Sequence, residues 1–128
     1  MHEEENSPTI LYIEDSFENR VLVRRVLEAE GYQVLGAESG PEGIEIAVTR
    51  QPALILVDIS LPEMDGYEVA ARLRAMDELR RVPIIALTAH VMKGDREKAL
   101  EAGCSGYIQK PIDVDLLPSQ LAAFLHRT

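Results

Sequence analysis

The sequence has no tryptophan, only two phenylalanines and four tyrosines, and a single cysteine among its 128 residues. With so few aromatic side chains, a core has to be built mainly from Val, Ile, Leu and Ala, which suits short buried strands covered by helices. The lone cysteine, Cys104, cannot form an internal disulfide. Because no histidine lies near it in the sequence to activate it, we expect Cys104 to be a packing residue rather than a nucleophile.

Long apolar runs and an excess of positive charge are also missing. No apolar stretch approaches the ~20 residues that span a bilayer, and none resembles the core of a signal peptide, so we expect a soluble cytoplasmic protein with no membrane contact. Lys and Arg number 13 against 22 Asp and Glu, which gives a formal net charge of -9. Nucleic-acid binding depends on clustered Lys and Arg that release counterions from phosphates, so direct binding to nucleic acid is not expected.

The length and the 46% hydrophobic content fit one domain, too short to combine a catalytic domain with a regulatory one. The first eight residues are polar and acidic and end in a proline. We therefore expect a flexible acidic tail over residues 1–8 and a single folded domain over residues 9–128.

Within that domain, short β-branched runs alternate with longer segments of helical spacing. The predicted strands are TILYIE (9–14), YQVLGA (32–37), ALILVD (53–58), VPIIALT (82–88) and GYIQ (106–109). The first predicted helix runs from near Ser16 to Gly31, and the second begins at the capping-box pair Ser39 and Glu42. The third includes Val69, Leu73 and Met76. The fourth covers residues 93–102, and the fifth begins near Asp113 or Pro118. Five such pairs predict an α/β fold: a flavodoxin-like, doubly wound, five-stranded parallel sheet of order 2-1-3-4-5 with five helices.

Polar and charged residues stand where the predicted strands end. Glu14 and Asp15 follow the first strand, Asp58 closes the third, Thr88 closes the fourth, and Lys110 follows the fifth. In such a sheet, ligands bind beyond the carboxyl ends of the strands, at the switch point between the first and third strands. Singly, each residue has an ordinary explanation, as an acidic helix cap, a β-forming threonine or a solvated lysine. Together they supply three carboxylates, a hydroxyl and an ammonium, which is a workable set for phosphoryl transfer.

The three carboxylates, Glu14, Asp15 and Asp58, favour a cation between them. Two unit negative charges about 4 Å apart repel by roughly 4 kcal/mol at an effective dielectric constant near 20. Mg²⁺ fits best, with Mn²⁺ as an alternative, because it takes oxygen ligands and keeps waters that phosphate oxygens can replace. We predict that Asp58 attacks phosphorus as the nucleophile, while Lys110 and Thr88 stabilise the transferred group.

These residues occur in motifs that resemble the receiver domain of response regulators in two-component signalling. The resemblance extends from about residue 10 to residue 124 and includes LVDISLPEMDGYE around Asp58, ALTA around Thr88 and GYIQKP around Lys110. It implies that Asp58 receives a phosphoryl group from a histidine kinase or a histidine phosphotransfer protein. It also implies a signalling domain that phosphorylates and dephosphorylates itself but is not a turnover enzyme. The pattern is especially similar to receivers found alone or within hybrid kinases and phosphorelays.

The resemblance implies roles for two further residues. Ser60 would join the acidic residues as a metal ligand through its backbone carbonyl. Tyr107 would turn inward as Thr88 moves toward the phosphoryl group, which would change the surface formed by the fourth helix, fifth strand and fifth helix, where a downstream protein would bind. A plain packing role is the alternative for Tyr107.

Three positions are ones at which members of the family vary. Glu14 replaces the more frequent aspartate and is one methylene longer, which favours a water-mediated metal contact over direct ligation. Ser60 and His90, two residues after Asp58 and Thr88, sit where the family tunes the access of hydrolytic water. We therefore hypothesise that His90 influences the lifetime of the acyl phosphate; the alternative is an exposed loop residue without that role.

Three other interpretations share parts of this pattern. A phosphatase of the haloacid dehalogenase type also uses an aspartate nucleophile, but it normally needs a second aspartate two residues later as general acid and base, where this chain has Ser60. A flavodoxin-like FMN carrier needs a phosphate loop rich in hydroxyl groups and glycine after the first strand, where EDSFENR is acidic. The third is a degenerate receiver used only for docking or dimerisation, although such receivers usually lack one or more of the residues present here.

Overall fold

The computed structural model describes residues 7–89 and 93–125. In these residues five strands alternate with five α-helices: β1 (Thr9–Ile13), α1 (Phe17–Glu28), β2 (Gln33–Ala37), α2 (Gly40–Arg50), β3 (Leu54–Asp58), α3 (Gly66–Arg74), β4 (Ile84–Thr88), α4 (Lys93–Glu101), β5 (Gly106–Gln109) and α5 (Leu117–Leu125). A short 3-10 helix, Asp77–Leu79, lies between α3 and β4. Residues 1–6 of the predicted tail lie outside the described residues, so the division into tail and domain stays a prediction.

The described strands form one parallel sheet of order β2-β1-β3-β4-β5. The predicted doubly wound α/β fold is confirmed. The register keeps neighbouring strands level, with Ile13 opposite Val57 and Asp58 opposite Leu87. The residues that follow the strands therefore meet at one edge of the sheet.

Helices cover both faces of the sheet because alternate strand residues point to opposite sides. Leu11 and Ile55 belong to the core on the face covered by α2, α3 and α4. Ile10 and Leu54 belong to the core on the other face, under α1 and α5. Every residue of β3 and of β4 is buried, which explains why both strands read as continuous apolar runs.

The first two helices begin at the serine residues where the sequence predicts their starts. The Ser16 hydroxyl accepts a hydrogen bond from the Asn19 amide at the start of α1, and the Ser39 hydroxyl accepts one from the Glu42 amide at the start of α2. Glu42 departs from a reciprocal capping box, because its carboxylate accepts from the Glu38 amide rather than from the Ser39 amide.

Three helix boundaries differ clearly from the expectation. The first helix ends at Glu28 rather than at Gly31, which lies in the turn that follows, with a positive φ of 96°. The third helix ends at Arg74, so the inclusion of Met76 in it was wrong: Met76 packs against the core from the turn that follows, where its spacing imitates a helical position. The fifth helix begins at Leu117, next to one of the two predicted starts. The earlier start at Asp113 marks a separate turn, in which the Asp113 carbonyl accepts from the amides of Leu116 and Leu117.

Cys104 is buried in the core beneath α4. Burial raises the pKa of its thiol to about 11, so the thiolate is scarce at neutral pH, as expected for a packing residue. Among the helices in the described part of the chain, none has the length and apolar character required to cross a bilayer.

Candidate functional site

The acidic residues after β1 and at the end of β3 form one cluster. Carboxylate oxygens of Glu14, Asp15 and Asp58 all lie within 4.8 Å of one another. Glu14 and Asp58 are each only 2% exposed, whereas Asp15 is open to solvent. The cluster forms because β1 and β3 are adjacent and parallel, with Ile13 paired to Val57 immediately before the acidic residues.

Lys110 brings a positive charge to this cluster. Its Nζ lies 2.8 Å from Asp58 Oδ2, and its side chain is 24% exposed. The other oxygen of Asp58, Oδ1, accepts a hydrogen bond of 3.0 Å from the Ser60 amide. Lys110 follows β5, where its amide donates to the Thr88 carbonyl and the Lys110–Pro111 peptide bond is cis. Both oxygens of the buried Asp58 carboxylate therefore have a donor in the protein.

Thr88 and Tyr107, the two residues expected to move together, lie on neighbouring strands. Thr88 is the last residue of β4, is 7% exposed and follows Leu87, the strand partner of Asp58. Tyr107 lies in β5 opposite Ala86, is half-buried and packs against the core on the α2, α3 and α4 face. The arrangement places Thr88 at the same sheet edge as Asp58, with Tyr107 one strand further out.

The structure describes Ser60 but not His90, so it bears on only one of these two predicted site residues. Ser60 is exposed and touches Asp58 through its amide, so the structure places its backbone beside the acidic cluster. Its carbonyl ligation of a metal stays a prediction. His90 lies outside the described residues, and its proposed influence on the acyl phosphate stays a prediction as well.

Glu14 is held by donors that the sequence interpretation missed. The Tyr12 hydroxyl donates to Glu14 Oε1 over 3.0 Å, and the Ser16 amide donates to Oε2 over 3.2 Å. Arg20 Nη1 donates to the backbone carbonyl of Glu14 over 2.6 Å. The signal that could have revealed Tyr12 is its position two residues before Glu14, because residues i and i+2 of a strand point to the same side.

The burial of Glu14 and Tyr12 affects the protonation of both groups. Burial is the main reason that the pKa of Glu14 is raised; the negative charge of Asp58 raises it further, and the hydrogen bond from the Ser16 amide opposes the shift. Burial, followed by the nearby Glu14 carboxylate, raises the pKa of Tyr12 far above its ordinary value, which keeps the phenol protonated as a donor. The neutral form of Glu14 is therefore favoured mainly because the carboxyl is buried, with repulsion from Asp58 as a smaller contribution.

Gly66, the first residue of α3, lies against the backbone that carries Asp58. Its amide donates to the Ile59 carbonyl. A Cβ atom added at Gly66 would lie 2.5 Å from the Asp58 carbonyl oxygen and 2.6 Å from the Ile59 Cα. Only glycine lets α3 begin this close to the end of β3.

We expect Gly66→Ala to lower the free energy of unfolding by about 2 kcal/mol, because the clash is with backbone that has to move. Urea denaturation measures the change. Gly36→Ala is the comparison, since its added Cβ would meet only the flexible Arg20 side chain, at 3.2 Å. A Gly66→Ala variant as stable as the wild type would show that α3 can shift without disturbing the end of β3.

A groove of about 400 Å³ adjoins the acidic cluster between α1 and the segment that follows β5. Leu22 on α1 and Pro111 and Ile112 beyond β5 line it, together with Glu14 and Lys110 of the cluster. Leu22 is a large apolar side chain that is 47% exposed beside this charged site. An apolar surface therefore borders the site directly.

Chemically, the cluster combines carboxylate oxygens that could hold a hard cation with the buried carboxylate of Asp58 and the ammonium of Lys110. All three side chains are carboxylates, the class of oxygen ligand that Mg²⁺ prefers in proteins. The ammonium of Lys110 already contacts the Asp58 carboxylate. Such a set can accept a phosphoryl group and neutralise its charge.

Comparisons with known proteins give a consistent result. A sequence model of the response regulator receiver domain matches residues 10–122. The polar-differentiation response regulator DivK of Brucella anthropi is 41% identical over 117 residues, which cover 91% of this chain and 95% of DivK.

Solved structures agree with the sequence comparison. The chemotaxis response regulator CheY4 of Vibrio cholerae superposes with a TM-score of 0.89 at 25% identity, over 93% of this chain and 99% of CheY4. The receiver domain of sensor histidine kinase PA1611 from Pseudomonas aeruginosa, solved with a magnesium ion coordinated in its active-site cleft, superposes with a TM-score of 0.86 at 36% identity. That match covers 94% of this chain and 99% of the PA1611 domain.

Proposed function

This chain belongs to the response regulator receiver family of two-component signalling, and from that premise we propose that Asp58 is its phosphoacceptor. The observation that carries the proposal is the buried Asp58 carboxylate, clustered with those of Glu14 and Asp15 and paired with Lys110 at 2.8 Å. The family match supports this function rather than a haloacid dehalogenase phosphatase or an FMN carrier. The presence of the acidic cluster, Thr88 and Lys110 together favours an active receiver over a degenerate one.

A divalent cation, Mg²⁺ or alternatively Mn²⁺, suits the acidic cluster. Its donors are all oxygens, and a cation would offset both the burial of the Glu14 carboxylate and its repulsion from Asp58, which together raise the pKa of Glu14. Glu14, Asp15, Asp58 and the Ser60 carbonyl would hold it, with Glu14 acting directly or through water. When bound, the cation would neutralise charge on the oxygens of the transferred phosphoryl group.

In the proposed reaction, an oxygen of Asp58 forms a bond to phosphorus while the bond between phosphorus and the imidazole nitrogen of the donor's phosphohistidine breaks. The imidazole keeps the electron pair and takes a proton from solvent. Lys110, already beside Asp58, stabilises the negative phosphoryl oxygens, and the Thr88 hydroxyl donates to another of them. The product is the modified chain itself, so the chain acts as a signalling domain and not as a turnover enzyme.

The signal would leave the site through Thr88 and Tyr107. Movement of Thr88 toward the phosphoryl group would vacate space beside β5, and the half-buried Tyr107 would turn into it. The surface formed by α4, β5 and α5 would then present a changed shape to a downstream protein partner.

The phosphodonor has to cover the surface around Asp58 to bring its histidine within bonding distance. The groove between α1 and Pro111 supplies an apolar surface beside Lys110, with Leu22 exposed at its edge. We therefore place the docking of the histidine kinase or histidine phosphotransfer protein on this groove.

The test is phosphotransfer from the histidine kinases and phosphotransfer proteins of the source organism to the wild-type chain and to Leu22→Ala. We expect the substitution to lower kcat/KM for the cognate donor about tenfold, as for a buried interface anchor. Its phosphorylation by acetyl phosphate, which needs no docking surface, should be unchanged. Leu100→Ala, which alters a leucine on α4 that is 53% exposed, is the matched control and should behave as wild type.

Two results would contradict the proposal. If no histidine phosphodonor labels the wild-type chain, the assigned function is wrong. If a donor labels Leu22→Ala at the wild-type rate, the donor docks on another surface.

A further inference from the structure

The most unusual contact of the acidic cluster is the hydrogen bond between Tyr12 and Glu14. Tyr12 lies in β1 with only 1% of its surface exposed, and its hydroxyl donates to Glu14 Oε1 over 3.0 Å. Glu14 follows the last residue of β1, where its amide still donates to the Ala37 carbonyl of β2, so its side chain and that of Tyr12, two residues earlier, lie on the same side. A phenol is therefore built into the core directly beneath one of the three clustered carboxylates.

Glu14 needs such a support more than an aspartate would. Its side chain has one more methylene and one more rotatable bond than aspartate, so its carboxylate can reach more positions relative to Asp58. The backbone of Glu14 is fixed by Arg20, and Oε2 is held by the Ser16 amide over 3.2 Å. The remaining oxygen, Oε1, is held by a side chain, through the hydrogen bond that the Tyr12 hydroxyl donates. The carboxylate is thus held at both oxygens.

The geometry points to Tyr12 as a positioning residue: its hydroxyl orients Glu14 so that the cluster of Glu14, Asp15 and Asp58 favours Mg²⁺ over Ca²⁺. This inference rests on the proposed function, in which the cluster holds a divalent cation. Mg²⁺ requires nearly ideal octahedral geometry, whereas Ca²⁺ accepts variable ligand positions and numbers. Releasing Glu14 should therefore weaken the binding of Mg²⁺ more than that of Ca²⁺.

A purely structural role for Tyr12 makes a different prediction. If the hydroxyl only satisfies a buried acceptor, its loss lowers stability but leaves the relative affinity of the two cations unchanged. The ratio of the Mg²⁺ and Ca²⁺ dissociation constants is therefore the measurement that separates the two roles.

The experiment is calorimetric titration of Tyr12→Phe with Mg²⁺ and with Ca²⁺. We expect the Kd for Mg²⁺ to rise about tenfold, the lower end of the effect of removing a group that orients a metal ligand. The Kd for Ca²⁺ should rise less, so the preference for Mg²⁺ should shrink. Tyr32→Phe removes a hydroxyl from a partly buried tyrosine between the end of α1 and the start of β2, and should bind both cations as the wild type does.

A double substitution tests whether Tyr12 acts through Glu14. In a Glu14→Gln background, adding Tyr12→Phe should change the Kd for Mg²⁺ little further, because the group that the hydroxyl orients has already lost its charge. Full additivity of the two effects would contradict the inference. A measurement on the wild type supplements the variants: Mg²⁺ should shift the NMR signal of the Tyr12 ring carbon that bears the hydroxyl, and leave that of Tyr32 in place.

Each remaining result of these experiments would contradict a different claim. An unchanged or lower Kd for Mg²⁺ in Tyr12→Phe, or equal losses for both cations, overturns the positioning role while leaving the proposed function intact. If Tyr12→Phe does not fold, an unmoved Tyr12 ring signal in the wild type overturns it. Wild-type protein that binds no Mg²⁺ overturns the proposed metal site and, with it, this inference.

Discussion

Replacing Asp58 by asparagine should abolish phosphorylation of the chain by acetyl phosphate in the presence of Mg²⁺. The amide keeps the shape of the side chain but removes the anionic oxygen that would attack phosphorus. Intact-protein mass spectrometry should show one added phosphoryl group on the wild type, removable by hydroxylamine as expected for an acyl phosphate, and none on Asp58→Asn.

The matched control is Asp77→Asn, which alters an exposed aspartate on the short 3-10 helix at the opposite end of α3 from Gly66. It should be phosphorylated as fast as the wild type. Phosphorylation of Asp58→Asn at the wild-type yield would mean that another residue is the phosphoacceptor, whatever the geometry around Asp58.

Replacing Lys110 by methionine should have two large effects. The rate of phosphorylation by acetyl phosphate should fall about 100-fold, the usual loss when one prepositioned charge-stabilising donor is removed from a site. Without divalent cations, the free energy of unfolding should also fall by about 1–3 kcal/mol, because the buried Asp58 carboxylate loses its partner. The loss should lie below that of a fully buried pair because Lys110 is 24% exposed.

Mg²⁺ should restore much of the stability of Lys110→Met, because ligands that bind only the folded state stabilise it by mass action. The rise in unfolding temperature with Mg²⁺ should therefore be larger for Lys110→Met than for the wild type. Differential scanning fluorimetry with and without Mg²⁺ measures this difference. Lys98→Met, which changes an exposed lysine on α4, should match the wild type in both rate and stability. If Lys110→Met has a normal phosphorylation rate and normal stability, the Lys110 ammonium takes no part in the site.

The pH dependence of folding stability and of Mg²⁺ binding should follow the protonation of Glu14. Because the pKa of Glu14 is raised in the folded chain, its protonated form favours the folded state. This contribution to stability is fully present below the ordinary pKa of glutamate. It is lost as the pH rises through the pKa of Glu14 in the folded chain. Since the ionised form is the proposed metal ligand, the stabilisation by Mg²⁺ should increase over the same rise in pH.

The fold and the edge of the sheet where the site lies could be predicted from the sequence for one physical reason. Parallel strands buried on both faces read as apolar runs, and each run ends where its polar residue begins, as β3 does at Asp58. Once the strand order is inferred, Glu14, Asp58 and Lys110 are expected at the same edge of the sheet, however far apart they lie in the chain. The structure brings them together in this way.

Other features depend on contacts that spacing does not encode. Tyr12 reads as one more apolar strand residue, and its hydroxyl acquires a role only when Glu14 is seen to fold back against it. Gly66 reads as an ordinary residue at a helix start until the closeness of the Asp58 carbonyl is known. Met76 keeps the helical spacing of Leu73 but follows the end of α3, because a side chain can reach the core from a turn as well as from a helix.

The most direct test of the central claim is a crystal structure of the chain with Mg²⁺ and beryllium trifluoride, which mimics a phosphoryl group on a carboxylate. We predict the cation among the carboxylates of Glu14, Asp15 and Asp58, and the trifluoride on Asp58 with the Thr88 hydroxyl and the Lys110 ammonium at its fluorine atoms. An acidic cluster without the cation, or trifluoride bound to a different side chain, would contradict the account.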